Sequence, residues 1–224
     1  MTKVFYIDVS CFSNDKLFEA ATAQLPAKRL EKIKKLKNST DKYLCAGAWL
    51  ALEEALKCFP AHSCDKEIAL TKKGKPYFKN IKNIYFSLSH SGSIALCAVS
   101  DKEVGADVQL ITDFCEKICK KYFSKDEEKY IFASSAQKDK TERFFRIWSI
   151  KEAYVKMTGE GLSGFKKLTL SEGANILEDA YFAEFNIDGY KASVCTNKKE
   201  KDFADMWNKF WVDVVNFIKF PLKG

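Results

Sequence analysis

A carboxylate and an amide stand two residues apart in an otherwise apolar stretch of the chain, at Asp107 and Gln109. If the stretch is a β-strand, these two side chains leave by one face and their apolar neighbours by the other. An acidic residue inside such a strand is costly unless it is paired with a cation or bound to a metal ion. The pattern therefore permits two interpretations, a salt-bridged aspartate at a strand edge and a metal-binding carboxylate.

A second acidic residue, Glu152, lies in a predicted helix that is rich in apolar and aromatic residues. Glu152 and Lys156 are four residues apart, so they share one helix face. An ordinary surface pair of this kind contributes only about 0.2–0.5 kcal/mol to helix stability. Trp148 lies on the same side of the helix, one turn earlier. An aromatic ring beside a Glu and a Lys is more typical of the wall of a binding site than of a free surface.

Two polar segments precede these residues. The segment Ser87–Gly92 combines hydroxyls, one imidazole and a glycine at a strand end, which suits either a phosphate-binding surface or a polar hairpin. The turn Gly74-Lys75-Pro76 allows a ligand to approach the backbone closely and supplies a cation, but turns of this composition are common.

Taken in order, these segments resemble the motifs of 4′-phosphopantetheinyl transferases of the surfactin-synthetase-activating type. The resemblance runs from about Pro26 to Leu162 and is most specific in the last motif. The segments that carry it are Gly74-Lys75-Pro76, Ser89-His90-Ser91-Gly92, Gly105 to Gln109, Phe123-Ser124-Lys125-Asp126-Glu127, and Trp148 to Lys156 followed by Gly159-Glu160-Gly161-Leu162.

The resemblance implies a reaction. The family moves the 4′-phosphopantetheine arm of coenzyme A onto a serine of an apo acyl or peptidyl carrier protein and releases adenosine 3′,5′-bisphosphate. It implies Mg²⁺, with Mn²⁺ as the alternative, held by Asp107 and Glu152 together with phosphate oxygens and water. Gln109 would join them directly or through water.

The resemblance also assigns roles to individual residues. Glu152, or Glu127 through a water molecule, would take the proton of the carrier serine. Lys156 would stabilise charge on the transferring phosphate or the leaving group. The residues that map to coenzyme A contacts are Lys28, Lys75, Pro76, Ser89, His90 and Lys156.

The chain departs from the family pattern at two positions. The family often has Glu where Gln109 stands, so we expect two protein carboxylates on the metal rather than three. Tyr43 stands where the family often has an Arg near the cofactor, and Lys42 or the basic helix Lys28–Lys37 is then expected to compensate.

The elements that must position these residues alternate between strands and helices, which predicts the α+β class with antiparallel sheets. A long helix is predicted from about Lys140 to Thr158, a short strand at Leu168–Leu170, and an apolar helix at Met206–Ile218. That last helix is expected to pack on the second half rather than lie on a membrane. The resemblance implies a monomer of two similar halves, 1–103 and 104–224, related by a pseudo-twofold axis with the coenzyme between them.

Composition limits the kinds of ligand, partner and cellular location that we expect for the protein. The chain is 46% hydrophobic with a net charge of +7, which fits an anionic ligand, an acidic protein partner or a nucleic acid. The eight cysteines mostly lie in apolar runs and are predicted to be reduced core thiols. The start of the chain does not read as a signal peptide, so we expect a cytoplasmic protein without a membrane partner. The resemblance implies that a nucleic acid is not a partner either.

Two alternatives remain at the level of sequence. One is a basic nucleic-acid-binding protein, which the lysine-rich helix permits although no recognised binding motif supports it. The other is a weakened family member that binds carrier proteins without transferring the arm, which the departures at Gln109 and Tyr43 keep open.

Overall fold

A computed structural model describes residues 1–60, 66–170, 176–177 and 180–198 of the 224-residue chain. The helix predicted at Met206–Ile218 lies outside the described residues. Among the described residues, no helix combines the length and apolar character needed to cross a membrane.

The first half of the chain packs helices on a three-stranded antiparallel sheet. Its strands have the order β1-β5-β4, and a separate hairpin is formed by β2 and β3. The elements are β1 (Thr2–Asp8), a 3-10 helix (Val9–Ser13), α1 (Asp15–Thr22), α2 (Ala27–Lys35), α3 (Ser39–Leu56), β2 (Ile68–Leu70), β3 (Pro76–Phe78), β4 (Tyr85–Ser91) and β5 (Ile94–Ser100).

Helix α3 forms the centre of this half because it is apolar around most of its circumference. Asn38 caps its start, accepting a hydrogen bond from the Thr40 amide at 2.8 Å. Gly47 lets the helix lie directly on the sheet, since a Cβ there would come within 2.4 Å of Val9 and 3.3 Å of Ala95. The core of the first half therefore lies between α3 and strands β1 and β5.

The second half packs a long helix on a four-stranded antiparallel sheet of order β6-β9-β8-β7. Helix α6 lies across β6 and β9. The elements are β6 (Val104–Leu110), α4 (Glu116–Tyr122), α5 (Lys125–Phe132), α6 (Gln137–Thr158), a 3-10 helix (Gly161–Lys167), β7 (Ile176–Leu177), β8 (Ala180–Ile187) and β9 (Tyr190–Thr196).

A row of serine hydroxyls joins the edge strand β4 of the first sheet to the edge strand β6 of the second. The Oγ atoms of Ser87 and Ser91 accept hydrogen bonds at 2.9 Å from the amides of Ala106 and Leu110. Ser89 Oγ accepts a third bond, at 3.3 Å, from the amide of Val108. The serines alternate along β4 and so project from the same side. We call this row the serine seam; it fixes the register between the two sheets.

The mixed α+β class with antiparallel sheets is confirmed. The long helix begins at Gln137, three residues before its predicted start. The strand predicted at Leu168–Leu170 is wrong, because side chains bind its backbone groups in place of a neighbouring strand. Lys151 Nζ donates to the Leu168 carbonyl at 2.5 Å, and the Leu170 amide donates to Glu127 at 2.9 Å.

The division at residue 103 and the pseudo-twofold relationship of the halves stay predictions. The described strands before and after this point belong to different sheets, with β6 beginning at Val104. The seven cysteines in the described part of the chain are all free thiols, and only Cys115 is exposed.

Candidate active site

Asp107 lies at the centre of the candidate site, with only 1% of its surface exposed. Its Oδ1 accepts hydrogen bonds from Ser89 Oγ at 2.7 Å and from Lys156 Nζ at 2.6 Å. Its Oδ2 accepts a bond from the Gln109 side-chain amide at 2.9 Å. The carboxylate is therefore paired with a cation, Lys156, that also belongs to the predicted site, and metal binding by Asp107 stays a prediction.

The position of α6 explains how Lys156 reaches Asp107. Gly105 on β6 faces the helix backbone, and the absence of a side chain there lets α6 approach the strand closely. Lys156 Nζ also donates to Ser89 Oγ at 2.9 Å. The cluster thus unites β4 from the first sheet, β6 from the second sheet and the last turns of α6.

Glu152 lies one helical turn before Lys156 and is half-buried. Burial raises the pKa of its carboxyl above the usual value, and the nearby Asp107 charge raises it further, while Lys156 partly offsets both effects. Two carboxylates and one ammonium group therefore share this region and carry a formal charge of −1 when all are ionised.

The donor set suits a hard divalent cation of the Mg²⁺ type. Asp107 and Glu152 supply carboxylate oxygens, and Gln109 has an amide oxygen two residues along the same face. Mg²⁺ needs only one or two protein carboxylates when phosphate oxygens and water complete its shell. Within the described ranges, no group of three or more His, Cys, Asp and Glu residues could hold a metal ion. A metal here would therefore take its remaining ligands from water or from a bound phosphate.

A cavity of about 330 Å³ opens beside this cluster. It brings together segments that are distant in sequence: the Gly74-Lys75-Pro76 turn, strand β4, and the end of α6 with the residues that follow. Its lining residues are Lys73, Gly74, Lys75, Pro76, Phe86, Ser87, Leu88, Glu152, Val155, Lys156, Gly159, Gly161 and Leu162. The cavity is therefore bordered by Glu152 and Lys156 of α6 and by the predicted glycine-lysine turn.

Lys75 lines this cavity, but its ammonium group points toward Glu103 and the end of α6. Its Nζ forms an ion pair with Glu103 and donates to the Met157 carbonyl at 2.5 Å. A cation at the carbonyl end of a helix is electrostatically favourable. Lys75 thus fastens the turn of the first half to the end of α6.

Glu127 occupies a different place from the one predicted for a water-mediated base. It is fully buried and forms an ion pair with the fully buried Lys151 at 3.0 Å. Its oxygens also accept hydrogen bonds from the amides of Ser124 at 2.7 Å and Leu170 at 2.9 Å. Lys151 in turn donates to the Phe165 and Leu168 carbonyls. These contacts give Glu127 a structural role that ties α5, α6 and residues 165–170 together.

Three other residues are predicted to contact coenzyme A: His90 and Lys28 lie outside the cavity lining, and Ser89 lies within the Asp107 cluster. His90 is exposed at the end of β4, and partial desolvation, followed by the charge of Lys156, lowers the pKa of its imidazole. Lys28 is exposed on α2. The structure brings neither residue to the lining of the 330 Å³ cavity. Ser89 lies within the cluster, but its buried hydroxyl bonds to Asp107, Lys156 and Val108 instead of extending into open space.

Two aromatic residues that drew attention in the sequence belong to hydrophobic clusters. Tyr43 packs edge-on against Phe18 at a ring distance of 4.9 Å. Trp148, predicted to be a wall of the site, stacks on Phe144 at 5.8 Å and contacts Phe165 at 5.1 Å. Trp148 therefore supports α6 from the side of the C-terminal core.

The serine seam was missed by sequence reasoning, which interpreted Ser87, Ser89 and Ser91 as candidate phosphate contacts. The available signal was their strict alternation, because residues two apart on a strand share a face. Three hydroxyls on one strand face can satisfy alternate amides of a neighbouring strand edge. The partner strand, however, lies in the other half of the chain and could not be identified from the alternation itself.

Sequence comparison with known proteins places the chain in a family. A sequence model of the 4′-phosphopantetheinyl transferase superfamily matches residues 103–214. A 4′-phosphopantetheinyl transferase of Bacillus subtilis is 26% identical over 89% of this chain and 92% of its own length. The 4′-phosphopantetheinyl transferase psf-1 of Bacillus pumilus is 35% identical over 56% of this chain and 58% of its own. The 4′-phosphopantetheinyl transferase Sfp of Bacillus subtilis strain 168 is 29% identical over 58% of this chain and 63% of its own.

Fold and site thus define a transferase with its charged cluster at the junction of two sheets. The chain belongs to the 4′-phosphopantetheinyl transferase superfamily, as the matched half of its length shows. Its similarity to the Bacillus enzymes agrees with the type predicted from the ordered motifs.

Proposed function

We propose that this protein transfers the 4′-phosphopantetheine arm of coenzyme A to a serine of an apo acyl or peptidyl carrier protein and releases adenosine 3′,5′-bisphosphate. The observation that carries the proposal is the convergence of Asp107, Glu152 and Lys156 beside a cavity of about 330 Å³. The family to which the chain belongs supports the same reaction class.

A bound Mg²⁺ ion, or Mn²⁺ in its place, would neutralise negative charge on the phosphates. Asp107 and Glu152 are the residues that would hold it, and Gln109 would contribute its amide oxygen or orient a water. Because these residues bring only two carboxylates, we expect the metal to bind more tightly when coenzyme A provides phosphate oxygens.

Glu152 is the residue we assign to take the proton from the carrier serine. It borders the cavity, where a bound substrate would lie. Glu127 does not receive this role, because its carboxylate is engaged by Lys151 and two backbone amides. Lys156 is assigned to stabilise negative charge on the phosphate or on the leaving group.

Coenzyme A carries several phosphate charges, and the borders of the cavity offer cations for them. Lys73, Lys75 and Lys156 line the cavity, and Pro76 follows Lys75 in the turn. Lys75 would have to leave Glu103 and the Met157 carbonyl to reach a phosphate. Lys28 and His90 lie further out, where they would meet the more distant phosphates. Ser89 is assigned to hold Lys156 and Asp107 in position rather than to contact a phosphate directly.

The proposed macromolecular partner is an acidic carrier protein. Its recognition is consistent with the net charge of +7 and with the exposed lysines along α2. We propose that the chain acts as a monomer, as its resemblance to the two-half type implies. Carrier proteins of fatty-acid, polyketide and peptide biosynthesis are all candidates.

The test is to incubate the protein with coenzyme A, Mg²⁺ and a panel of apo carrier proteins and to weigh each carrier by mass spectrometry. We expect at least one carrier to gain the mass of phosphopantetheine. Asp107→Asn is the matched inactive control, because it removes a charge with little change in size. Carriers that stay unmodified throughout, with coenzyme A bound by the protein, would instead support the weakened family member.

A second experiment tests the alternative that the chain is a nucleic-acid-binding protein. Binding of labelled RNA and duplex DNA is measured at two salt concentrations beside binding of coenzyme A. Tight, salt-dependent nucleic-acid binding without coenzyme A binding would overturn the proposal. We expect the reverse pattern, because the cations at the cavity border a pocket rather than an extended surface.

A further inference from the structure

The ammonium group of Lys156 contacts the same carboxylate that is assigned to the metal. Its Nζ lies 2.6 Å from Asp107 Oδ1. The other contacts of this carboxylate come from neutral groups, the hydroxyl of Ser89 and the amide of Gln109. A buried carboxylate with neutral partners alone is poorly compensated. Lys156 is therefore the cation that balances Asp107 in the protein as described.

Asp107 Oδ1 accepts two hydrogen bonds, from Ser89 and Lys156, so both of its lone pairs are occupied. A metal ion that binds this oxygen, at about 2.0–2.1 Å for Mg²⁺, must displace one of these two donors. Oδ2 accepts one bond, from Gln109, whose side chain can turn and present its oxygen to a metal. Of the two donors on Oδ1, the ammonium group repels a divalent cation, so it is the one that we expect to leave.

Lys156 is also placed to move. About 30% of its side chain is exposed, whereas the side chain of Asp107 is 1% exposed. The lysine lies near the end of α6 and lines the cavity. A partly exposed side chain can reorient toward the cavity without rebuilding the core, whereas Asp107 is fixed on its strand.

We propose that Lys156 is an exchangeable cation, which neutralises Asp107 in the metal-free protein and leaves it when a divalent metal binds. The released ammonium group turns into the cavity, toward the phosphates that the metal also contacts. This inference rests on the proposed function for the identity of those phosphates. The competition between Lys156 and the metal is a property of the protein alone and can be measured without transfer.

The test measures binding of Mn²⁺, without coenzyme A, by the electron paramagnetic resonance signal of the free ion. Lys156→Met keeps the length of the side chain and removes its charge. We expect Mn²⁺ to bind this variant about fivefold more tightly, which corresponds to the removal of about 1 kcal/mol of repulsion. Lys156→Arg should stay near the affinity of the unaltered protein, and Asp107→Asn should bind Mn²⁺ much more weakly.

Thermal unfolding provides the second measurement. In the presence of EDTA, Lys156→Met should unfold at a lower temperature, because Asp107 then lacks its cation. Saturating Mn²⁺ should restore most of the difference. Lys125→Met is the matched control, because its lysine pairs with Glu128 on the exposed start of α5. This control should change neither Mn²⁺ affinity nor the response to EDTA.

An affinity for Mn²⁺ that is unchanged or lower in Lys156→Met would overturn the exchange. So would the absence of Mn²⁺ binding in every variant, since Asp107 would then bind no metal. If competition is observed and no carrier protein is modified, the proposed function fails and the exchange stands. If transfer occurs without competition, the proposed function stands and the exchange is wrong.

Discussion

Gly105 on β6 lies directly against the backbone of α6 at Ala153. A Cβ at Gly105 would come within 1.9 Å of the Ala153 carbonyl oxygen and 2.4 Å of the Met157 amide nitrogen. The contacting atoms are backbone, so a side-chain rotation cannot relieve the overlap. The close approach sets the distance between α6 and β6, and with it the ion pair of Lys156 with Asp107.

Replacing Gly105 by Ala is therefore expected to push α6 away from the strand. We expect a loss of more than about 3 kcal/mol of unfolding free energy, at the upper end for overpacked cores, together with loss of transfer. Chemical denaturation measures the first effect and carrier modification the second. Gly189→Ala is the control, because a Cβ there meets nothing and adds only the strain of its φ of +74°. A Gly105→Ala protein of normal stability would contradict the packing argument.

The raised pKa of Glu152 predicts how stability depends on pH in metal-free solution. The folded state holds the Glu152 proton more tightly than the unfolded chain does. The contribution of Glu152 to stability is therefore most favourable below the ordinary glutamate value and is lost as pH rises through the raised value. Glu152→Gln removes this effect and should be more stable than the unaltered protein above that window and nearly equal to it below.

The measurement is urea unfolding at a series of pH values with EDTA present. Glu116→Gln, on the exposed first turn of α4, serves as the surface control. If the difference between Glu152→Gln and the unaltered protein is constant across the series, Glu152 does not titrate abnormally. The same variant should also lose transfer activity, since it can neither hold the metal strongly nor accept the serine proton.

The buried pair of Lys151 and Glu127 predicts an asymmetry between single and double variants. Lys151→Met leaves Glu127 fully buried without its cation, and we expect a loss of about 3–5 kcal/mol of unfolding free energy. Adding Glu127→Leu removes the stranded charge and should recover much of that loss. A double variant that folds and still modifies carriers would establish that Glu127 is not the base. If it folds with an unchanged coenzyme A affinity yet is inactive, Glu127 takes part in the chemistry.

In the serine seam, alanine substitutions at Ser87 and Ser89 should differ in their effects on transfer. Ser87→Ala leaves the Ala106 amide without its acceptor and should cost about 1–3 kcal/mol of stability, with transfer largely retained at low temperature. Ser89→Ala removes a similar bond and also the hydroxyl that contacts Asp107 and Lys156. It should therefore lower the transfer rate as well. Equal effects of the two variants on transfer would show that Ser89 has no special place in the site.

Local spacing predicted which side chains share a face around Asp107 and Glu152 better than it predicted the partners of the surrounding residues. Alternation around Asp107 and the four-residue spacing of Glu152 and Lys156 depend on local geometry, which a strand or a helix imposes on any sequence. The partners of Glu127 and Lys75 depend on how distant segments pack, so a motif position did not reveal that both are engaged in ion pairs. The strand predicted at Leu168–Leu170 was wrong because side chains from other segments bind its backbone groups.

The departure at Gln109 predicts a measurable change in the metal requirement. In Gln109→Glu, a carboxylate would stand beside Asp107 Oδ2, where the amide of Gln109 now donates a hydrogen bond at 2.9 Å. The donor is lost and two like charges are brought together, so the metal-free protein should lose about 1–3 kcal/mol of stability. A divalent cation would then have a third carboxylate, and the Mg²⁺ concentration for half-maximal transfer should fall severalfold. Titrating Mg²⁺ in the transfer assay, beside unfolding in EDTA, tests both effects. An unchanged Mg²⁺ requirement would place position 109 outside the metal shell, whereas lower metal-free stability with tighter Mg²⁺ binding would place it within.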